Sequence, residues 1–174
     1  MDELYLKLPE EIDKEKWYRY VFEYCEDNPK AKPLGFSGDT DYDVWLEMIT
    51  NERLGIDLEK GKVPVTKYFL MRDARIIGHL TIRHSIDNEF LAVYGGHIGY
   101  GIRPSERKKG YGTKILAMAL EECKKIGLEE VLVTCRESNT GANKVIINNG
   151  GVLQGKVFIT KEKASFNKYI IKIK

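Results

Sequence analysis

The segment RKKGYGTK at residues 107–114 combines four cations with two glycines, just before an apolar run with helical periodicity. The start of a helix carries partial positive charge and prefers acidic side chains, yet only Glu106 offsets these cations. Glycines let the backbone approach a ligand closely, and the free amides at a helix start bind phosphate groups. The pattern therefore predicts a site for a phosphate-bearing anion. A basic surface turn is the plainer alternative, and Ser105 stands where a Walker A loop would need glycine.

Four glycines lie between residues 95 and 101, in the strand-like run that leads into this segment. Glycine weakens a strand and often marks a bulge or the close approach of a ligand. We therefore expect an extended ligand to lie along an open strand here and to bond to the backbone of Tyr100 and Ile102. A glycine-rich corner of the sheet is the alternative, but the phosphate-type turn that follows favours the ligand.

A third candidate for ligand contact is the segment CRESNTGAN at residues 135–143, a predicted junction between a strand and a helix. Ser138, Asn139 and Asn143 carry polar groups that could hydrogen-bond a ligand at the end of the sheet. Asn139 is equally well placed to cap the helix, and one side chain can do both.

Proton transfer would fall to the histidines, which titrate near neutral pH. His97 lies on the glycine-rich run and His84 ends the preceding strand, so a hairpin could bring both to one cleft. A hydrogen-bonded structural role is the alternative for each. Glu89, in the loop between them, is the next candidate, whereas His79 faces the other side of its strand and has no expected role. A paired-histidine metal site lacks a third ligand of suitable spacing, so no metal is expected.

The elements that must position these residues follow from hydrophobic periodicity. Apolar residues at helical spacing predict two N-terminal helices within about residues 10–55. Beyond them, β-branched and aromatic runs alternate with further helical patterns. Strands are expected at 66–73, 74–85, 94–104, 129–135, 156–161 and 167–174, and helices at 111–127 and 139–151. This order predicts an α/β fold.

The composition favours one soluble, cytoplasmic domain. The 174 residues are 43% hydrophobic and 31% charged, and a net charge of +2 is too small for general nucleic-acid or membrane binding. No apolar run is long enough to span a membrane, and the acidic start differs from a signal peptide. The three cysteines include no CxxC pair, and Cys123 and Cys135 fall at apolar positions, so we expect buried, reduced thiols there.

One motif carries a resemblance to a known family. Arg107-x-x-Gly110-x-Gly112 on a strand–turn–helix, followed by a strand and by ESNTGANKVIINNGG, resembles the GNAT superfamily of N-acetyltransferases. The resemblance runs from about Tyr68 to the C-terminus, and within it the chain looks like a bacterial branch of predicted acetyltransferases. It implies an α/β fold (α+β in some schemes), with a mixed, mostly antiparallel central sheet, splayed central strands and helices on both faces.

The resemblance also implies acetyl-CoA as the acetyl donor. Its pantetheine arm would lie along the Tyr100–Ile102 backbone, its pyrophosphate would bind the amides of Lys108–Thr113, and the backbone N–H of Ile102 would stabilise the oxyanion. The implied donor contacts are Tyr100, Gly101, Ile102, Arg107, Lys108, Lys109, Gly110, Tyr111, Gly112, Thr113, Asn139 and Asn143. Many members place a tyrosine acid four residues before the glycine that ends the last helix, where this chain has Ile146. The acid therefore lies elsewhere, or the thiolate leaves without one.

These features predict a single N-acetyltransferase domain over residues 1–174, with its acetyl-CoA-binding core at about 68–174. The expected reaction is direct transfer of an acetyl group to a small-molecule or peptide amine, by a monomer or a homodimer. The alternatives are a CoA-binding module without turnover, suggested by Ile146, and a basic patch for RNA or a protein partner. Acidic residues at 39–43, Asp87 and Glu89 could hold a cationic acceptor, although solvated surface charge is the plainer interpretation.

Overall fold

The computed structural model describes residues 3–36 and 40–173, so Asp39 lies outside the described residues. The strands are β1 (Leu4–Lys7), β2 (Val65–Arg72), β3 (Arg75–Arg83), β4 (Ile98–Ile102), β5 (Glu130–Arg136), β6 (Val152–Ile159) and β7 (Ala164–Lys172). The α-helices are α1 (Lys14–Asp27), α2 (Tyr42–Leu54), α3 (Tyr111–Lys125) and α4 (Thr140–Asn148). The predicted α/β class is confirmed.

The strands form two antiparallel groups, ordered β1-β2-β3-β4 and β5-β7-β6. Helices α1 and α2 pack on one face, where Trp17 and Trp45 stack with ring centroids 4.7 Å apart in one hydrophobic cluster. Helices α3 and α4 pack on the other face, and their Ile115 and Ile146 join Leu80 of β3 in a second cluster. The fold thus has a core on each side of its strands, as the prediction of helices on both faces requires.

Strands β4 and β5 meet at one point and then separate. The backbone N–H of His97 donates to Leu132 O at 2.8 Å, and Leu132 N–H donates to the Nδ1 atom of His97 at 3.0 Å. Gly96, next to this junction, has φ 62° and ψ −174°, and a Cβ there would lie 2.6 Å from Leu132 O. No ladder joins β4 to β5 in the part of the chain that the structure describes. The predicted splay of the central strands is therefore present.

Differences from the prediction include two element starts and one additional strand. The first α-helix begins at Lys14 rather than near residue 10, because the Asp13 carboxylate caps it by accepting from two backbone amides. Strand β1 was not predicted at all. Strand β4 begins at Ile98 rather than Tyr94, because residues Leu91–Gly95 form a helical turn and Gly96 follows in a conformation that only glycine adopts readily.

Candidate active site

A cleft of about 790 Å³ opens where β4 and β5 diverge and reaches the N-terminal ends of α3 and α4. Its lining includes most of the residues predicted to contact a ligand. These are Tyr100, Gly101, Ile102, Arg107, Lys108, Gly110, Tyr111, Gly112, Thr113 and Asn139. Lys109 and Asn143 are not among its lining residues. One cavity thus joins the glycine-rich strand, the basic turn and the start of the last helix.

The edge of β4 that faces this cleft carries unpaired backbone groups. Arg83 N–H donates to His97 O and Arg103 N–H donates to Ile77 O, so the odd-numbered residues of β4 form the hydrogen-bonded pairs with β3. The backbone groups of Tyr100 and Ile102 therefore point away from β3, into the cleft. Ile102 O accepts from the Nε–H of Arg107 at 3.2 Å, which leaves the Ile102 amide available for a ligand.

The turn before α3 presents a run of free amides. Within the described residues, none of the backbone N–H groups of Lys108–Thr113 donates to a protein acceptor. Lys108 and Gly110 both have positive φ, 62° and 83°, an alternation that turns successive amides toward one concavity. Together with the partial positive charge at the start of α3, these amides make an anion site.

The cations of this turn are less available than the sequence indicates. Arg107 pairs with Asp27 at 2.8 Å, and Lys109 pairs with Glu106 at 3.0 Å. Lys108 has no ion-pair partner among residues 3–36 and 40–173, and it lines the cleft. The attraction for an anion therefore comes chiefly from the amides, with Lys108 as the free cation beside them.

Tyr100 and Cys135 supply the cleft with a phenol and a thiol. The Tyr100 hydroxyl is buried and has no hydrogen-bond partner in the described part of the chain, and burial raises its pKa. Burial likewise raises the pKa of Cys135 to about 11, so this group is a thiol at neutral pH. Ile146, at the position where the family places a tyrosine, is buried in the lining and cannot donate a proton.

The two asparagines of the last helix have internal partners. Asn139 Oδ1 accepts from Ala142 N–H at 3.0 Å, so this side chain caps α4 while also lining the cleft. Asn143 Oδ1 accepts from Asn167 and from the Tyr169 hydroxyl, each at 2.7 Å, and its amide donates to nearby backbone carbonyls. Asn143 thus joins α4 to β7.

The residues predicted to transfer protons lie away from the cleft lining. His97 is buried at the β4–β5 junction, and His84 hydrogen-bonds Thr66 Oγ1 at 2.8 Å. Glu89 is exposed in the segment before the helical turn. Their catalytic roles stay predictions, and the contacts of both histidines are those of structural residues.

Replacing His97 by asparagine is expected to keep the protein folded, because the Asn Oδ1 atom can accept from Leu132 N–H in place of the ring Nδ1. Alanine at this position leaves the buried N–H unpaired and should cost about 1–3 kcal/mol of unfolding free energy. Urea unfolding followed by circular dichroism measures both variants. An asparagine variant as unstable as the alanine variant would contradict the role of His97 as a hydrogen-bond acceptor.

The pH dependence provides a second test of His97. Burial, with a smaller contribution from Arg83, lowers its pKa from the ordinary 6.5. Below pH 6.5 the unfolded chain therefore binds more protons than the folded one. The contribution of His97 to stability is present above pH 6.5 and is lost as the pH falls from there through the folded pKa. The asparagine variant should lose less stability than the wild type over this fall. If it instead lost only turnover, with folding and donor binding intact, the predicted proton-transfer role would gain support.

A second cavity, of about 400 Å³, lies on the α1–α2 face of β4. Sequence reasoning missed its residues, among them Lys32, Glu52, Lys67, His79 and Arg83. The signal was present in β3, whose alternate positions 79, 81 and 83 are polar while Leu80 and Ile82 are buried. His79 is neutral at pH 7, because burial lowers its pKa to about 4, and its Nδ1 lies 2.6 Å from the Tyr20 hydroxyl.

Neither a membrane span nor a metal cluster is found among the described residues. None of their helices has the length and apolar character needed to cross a membrane. Nor do three or more histidine, cysteine or acidic side chains gather there in an arrangement suited to a metal ion.

Comparison with known proteins gives one family. The model of the acetyltransferase (GNAT) family matches residues 35–146, whereas no curated protein sequence matches the chain. Among solved structures, Mycobacterium smegmatis RimJ in complex with CoA-disulfide aligns with a TM-score of 0.67 and 19% identity, over 97% of this chain and 81% of that one.

Two further solved structures contain acetyl-CoA. YncA from Salmonella typhimurium, a putative acetyltransferase with its cofactor acetyl-CoA, gives a TM-score of 0.63 at 10% identity, over 98% of this chain and 94% of that one. The microcin self-immunity acetyltransferase MccE, in complex with acetyl-CoA and AMP, gives 0.69 at 18% identity, over 99% and 94%. At these identities the likeness is one of fold.

Proposed function

Because this chain belongs to the acetyltransferase (GNAT) family, we propose that it is an N-acetyltransferase that transfers an acetyl group from acetyl-CoA directly to an amine. The observation that carries the proposal is the run of free amides over Lys108–Thr113 at the end of a long cleft. Such a site suits the diphosphate of CoA, and the open edge of β4 suits the amide groups of its pantetheine arm.

In the proposed complex, the diphosphate lies on the amides of Lys108–Thr113 with Lys108 beside it. The pantetheine arm lies along the backbone of Tyr100–Ile102, where the β4 edge carries unpaired groups. Arg107 holds the Ile102 carbonyl and thereby supports this edge without contacting the diphosphate directly.

The proposed reaction begins when a neutral amine attacks the thioester carbonyl. A nitrogen–carbon bond forms, the oxyanion accepts a hydrogen bond from Ile102 N–H, and the carbon–sulfur bond then breaks. The amine proton passes to a base, for which His97, His84 and Glu89 remain the predicted candidates, acting through water. CoA leaves as a thiolate, which needs little help because a thiol pKa is about 8.5. Cys135 is protonated, and this favours direct transfer over an acyl-enzyme intermediate.

Changing Tyr100 to phenylalanine tests the donor site with little risk to folding. The hydroxyl is buried without a partner in the described structure, so its removal should leave the unliganded protein equally stable or slightly more stable. If the hydroxyl bonds the donor, acetyl-CoA affinity should fall roughly 5-fold, the worth of a hydrogen bond of about 1 kcal/mol. Thermal unfolding and calorimetric titration give the two numbers. Unchanged affinity would remove Tyr100 from the donor contacts.

A CoA-binding module without turnover is the second candidate, and Ile146 favours it. This residue fills the place of the family's tyrosine acid. Beyond the basic turn, the described cleft lining offers the phenol of Tyr100 and the thiol of Cys135 as acids, and burial raises the pKa of both. Turnover distinguishes the two candidates.

Calorimetric titration with acetyl-CoA and with CoA is the test of the proposal. We expect binding of both in the micromolar range, followed by release of free CoA thiol when a suitable amine is added. Acetyl-CoA binding without thiol release across a broad amine panel would favour the binding module. Absence of binding to either compound would overturn both candidates.

A further inference from the structure

The second cavity meets the donor cleft across β4. Gly99 and Tyr100 line both cavities, and a Cβ built on Gly99 has no neighbour within 4 Å. Thr81 and Lys67 continue the same row of paired residues on β3 and β2. Gly99 has no side chain to separate the two cavities, so a molecule in the second cavity can approach the donor cleft at this strand.

The charge of this cavity is positive. Three cations, Lys32, Lys67 and Arg83, line it against the single carboxylate of Glu52. Glu52 already pairs with Lys67 at 2.6 Å. Lys32 and Arg83 have no carboxylate within 4 Å in the described ranges 3–36 and 40–173, so the cavity carries two uncompensated charges. Asp87 and Glu89, which the sequence suggested for a cationic acceptor, do not line it.

Arg83 is held in a specific orientation. Its Nη1 atom donates to Gly95 O and to Gly96 O, each at 3.2 Å, which fixes the guanidinium against the turn before β4. The Nε–H and Nη2–H groups have no acceptor among the described residues. These two donors are parallel and match the two oxygens of a carboxylate or phosphate. Burial lowers the pKa of this guanidinium, and an anionic partner would stabilise its charged form.

We propose that the acceptor is a small amine that also bears a carboxylate or phosphate group. Arg83 binds this anionic group in a bidentate manner, Lys32 attracts it at the mouth of the cavity, and the amine points toward β4 and the donor cleft. A volume of about 400 Å³ suits a small molecule. The inference rests on the proposed function, because it assigns the second cavity to the substrate of that reaction.

Binding of matched amine pairs to the CoA-loaded protein tests the inference. The pairs are 2-aminoethyl phosphate with ethanolamine, and β-alanine with β-alaninamide, and calorimetry gives the dissociation constants. In at least one pair, we expect the member with the anionic group to bind at least tenfold more tightly than the member that lacks it. Equal binding within both pairs, or no detectable binding of any anionic member, would overturn the inference.

Three variants assign the effect to this cavity. Arg83→Gln should remove the preference for the anionic member. Arg83→Lys should retain only part of it, because lysine keeps the charge but lacks the two parallel N–H donors. Gly99→Val should weaken binding of both members, since its side chain has room to enter the cavity. A preference that persists in Arg83→Gln would overturn the inference.

The affinity of each protein for CoA separates the two possible failures. If wild type and variants bind CoA but show no anionic preference, the inference fails and the proposed function stands. If the wild type does not bind CoA, the proposed function itself fails. Circular dichroism of each variant identifies any that does not fold, and Arg83→Lys then takes the place of Arg83→Gln in the comparison.

Discussion

Replacing Thr113 by glutamate is expected to abolish acetyl-CoA binding in a protein that stays folded. Thr113 lines the cleft at the third position of α3, where an acidic side chain interacts favourably with the helix dipole. The same carboxylate would stand among the amides proposed to hold the CoA diphosphate. Unit charges 4 Å apart repel by about 4 kcal/mol at an effective dielectric of 20, so a loss of at least roughly 100-fold in affinity is expected.

Thr113→Gln is the matched control, because it has the size of glutamate without its charge. Calorimetry should find at most a severalfold loss of affinity in the glutamine variant, and thermal unfolding should find both variants at least as stable as the wild type. Equal losses in the two variants would indicate steric blocking rather than repulsion. Full affinity in the glutamate variant would place the diphosphate elsewhere. Gly110 is a poorer site for this test, because its φ of 83° makes any substitution strained.

Replacing Gly96 by alanine is expected to destabilise the protein strongly, because this glycine lies at the β4–β5 junction. Its φ of 62° and ψ of −174° lie in a region that other residues occupy only at a cost of about 1–3 kcal/mol. The added Cβ would also lie 2.6 Å from Leu132 O, a backbone atom that the junction itself holds in place. We therefore expect unfolding free energy to fall by about 3 kcal/mol or more.

Gly99→Ala supplies the comparison, since this glycine lies in β4 itself, with space around its Cβ position and no positive φ. Alanine there should change stability by less than about 1 kcal/mol. Urea unfolding followed by circular dichroism measures both. Equal stability of the two variants would show that the junction accommodates a side chain at Gly96. The separation of β4 and β5 would then not depend on the conformation of this glycine.

The core of the fold could be predicted because its signals are local. Helix α3 was expected at 111–127 and is found at Tyr111–Lys125, since its apolar face, its terminal lysines and Gly127 all lie within one segment. The burial of Cys123 and Cys135 was likewise predicted from their positions in apolar patterns and is confirmed.

Features that depend on distant residues could not be predicted in the same way. Strand β1 exists because it pairs with β2, where Leu4 faces Arg72 across 68 residues of sequence. Arg107 pairs with Asp27, which lies 80 residues away in the sequence. This ion pair neutralises a cation that sequence analysis assigned to ligand binding. The direction of the Arg83 side chain also depends on the turn before β4, which the glycine-rich pattern had suggested was strand.

Both tryptophans of the chain lie in the α1–α2 layer, nearly parallel and stacked at 4.7 Å. The protein therefore carries an optical reporter that is confined to the layer beside the second cavity. Tryptophan emission should follow the melting of that layer, whereas far-ultraviolet dichroism follows all the helices and strands. Should the two halves of the protein open separately, the two signals will separate with them, without any added label.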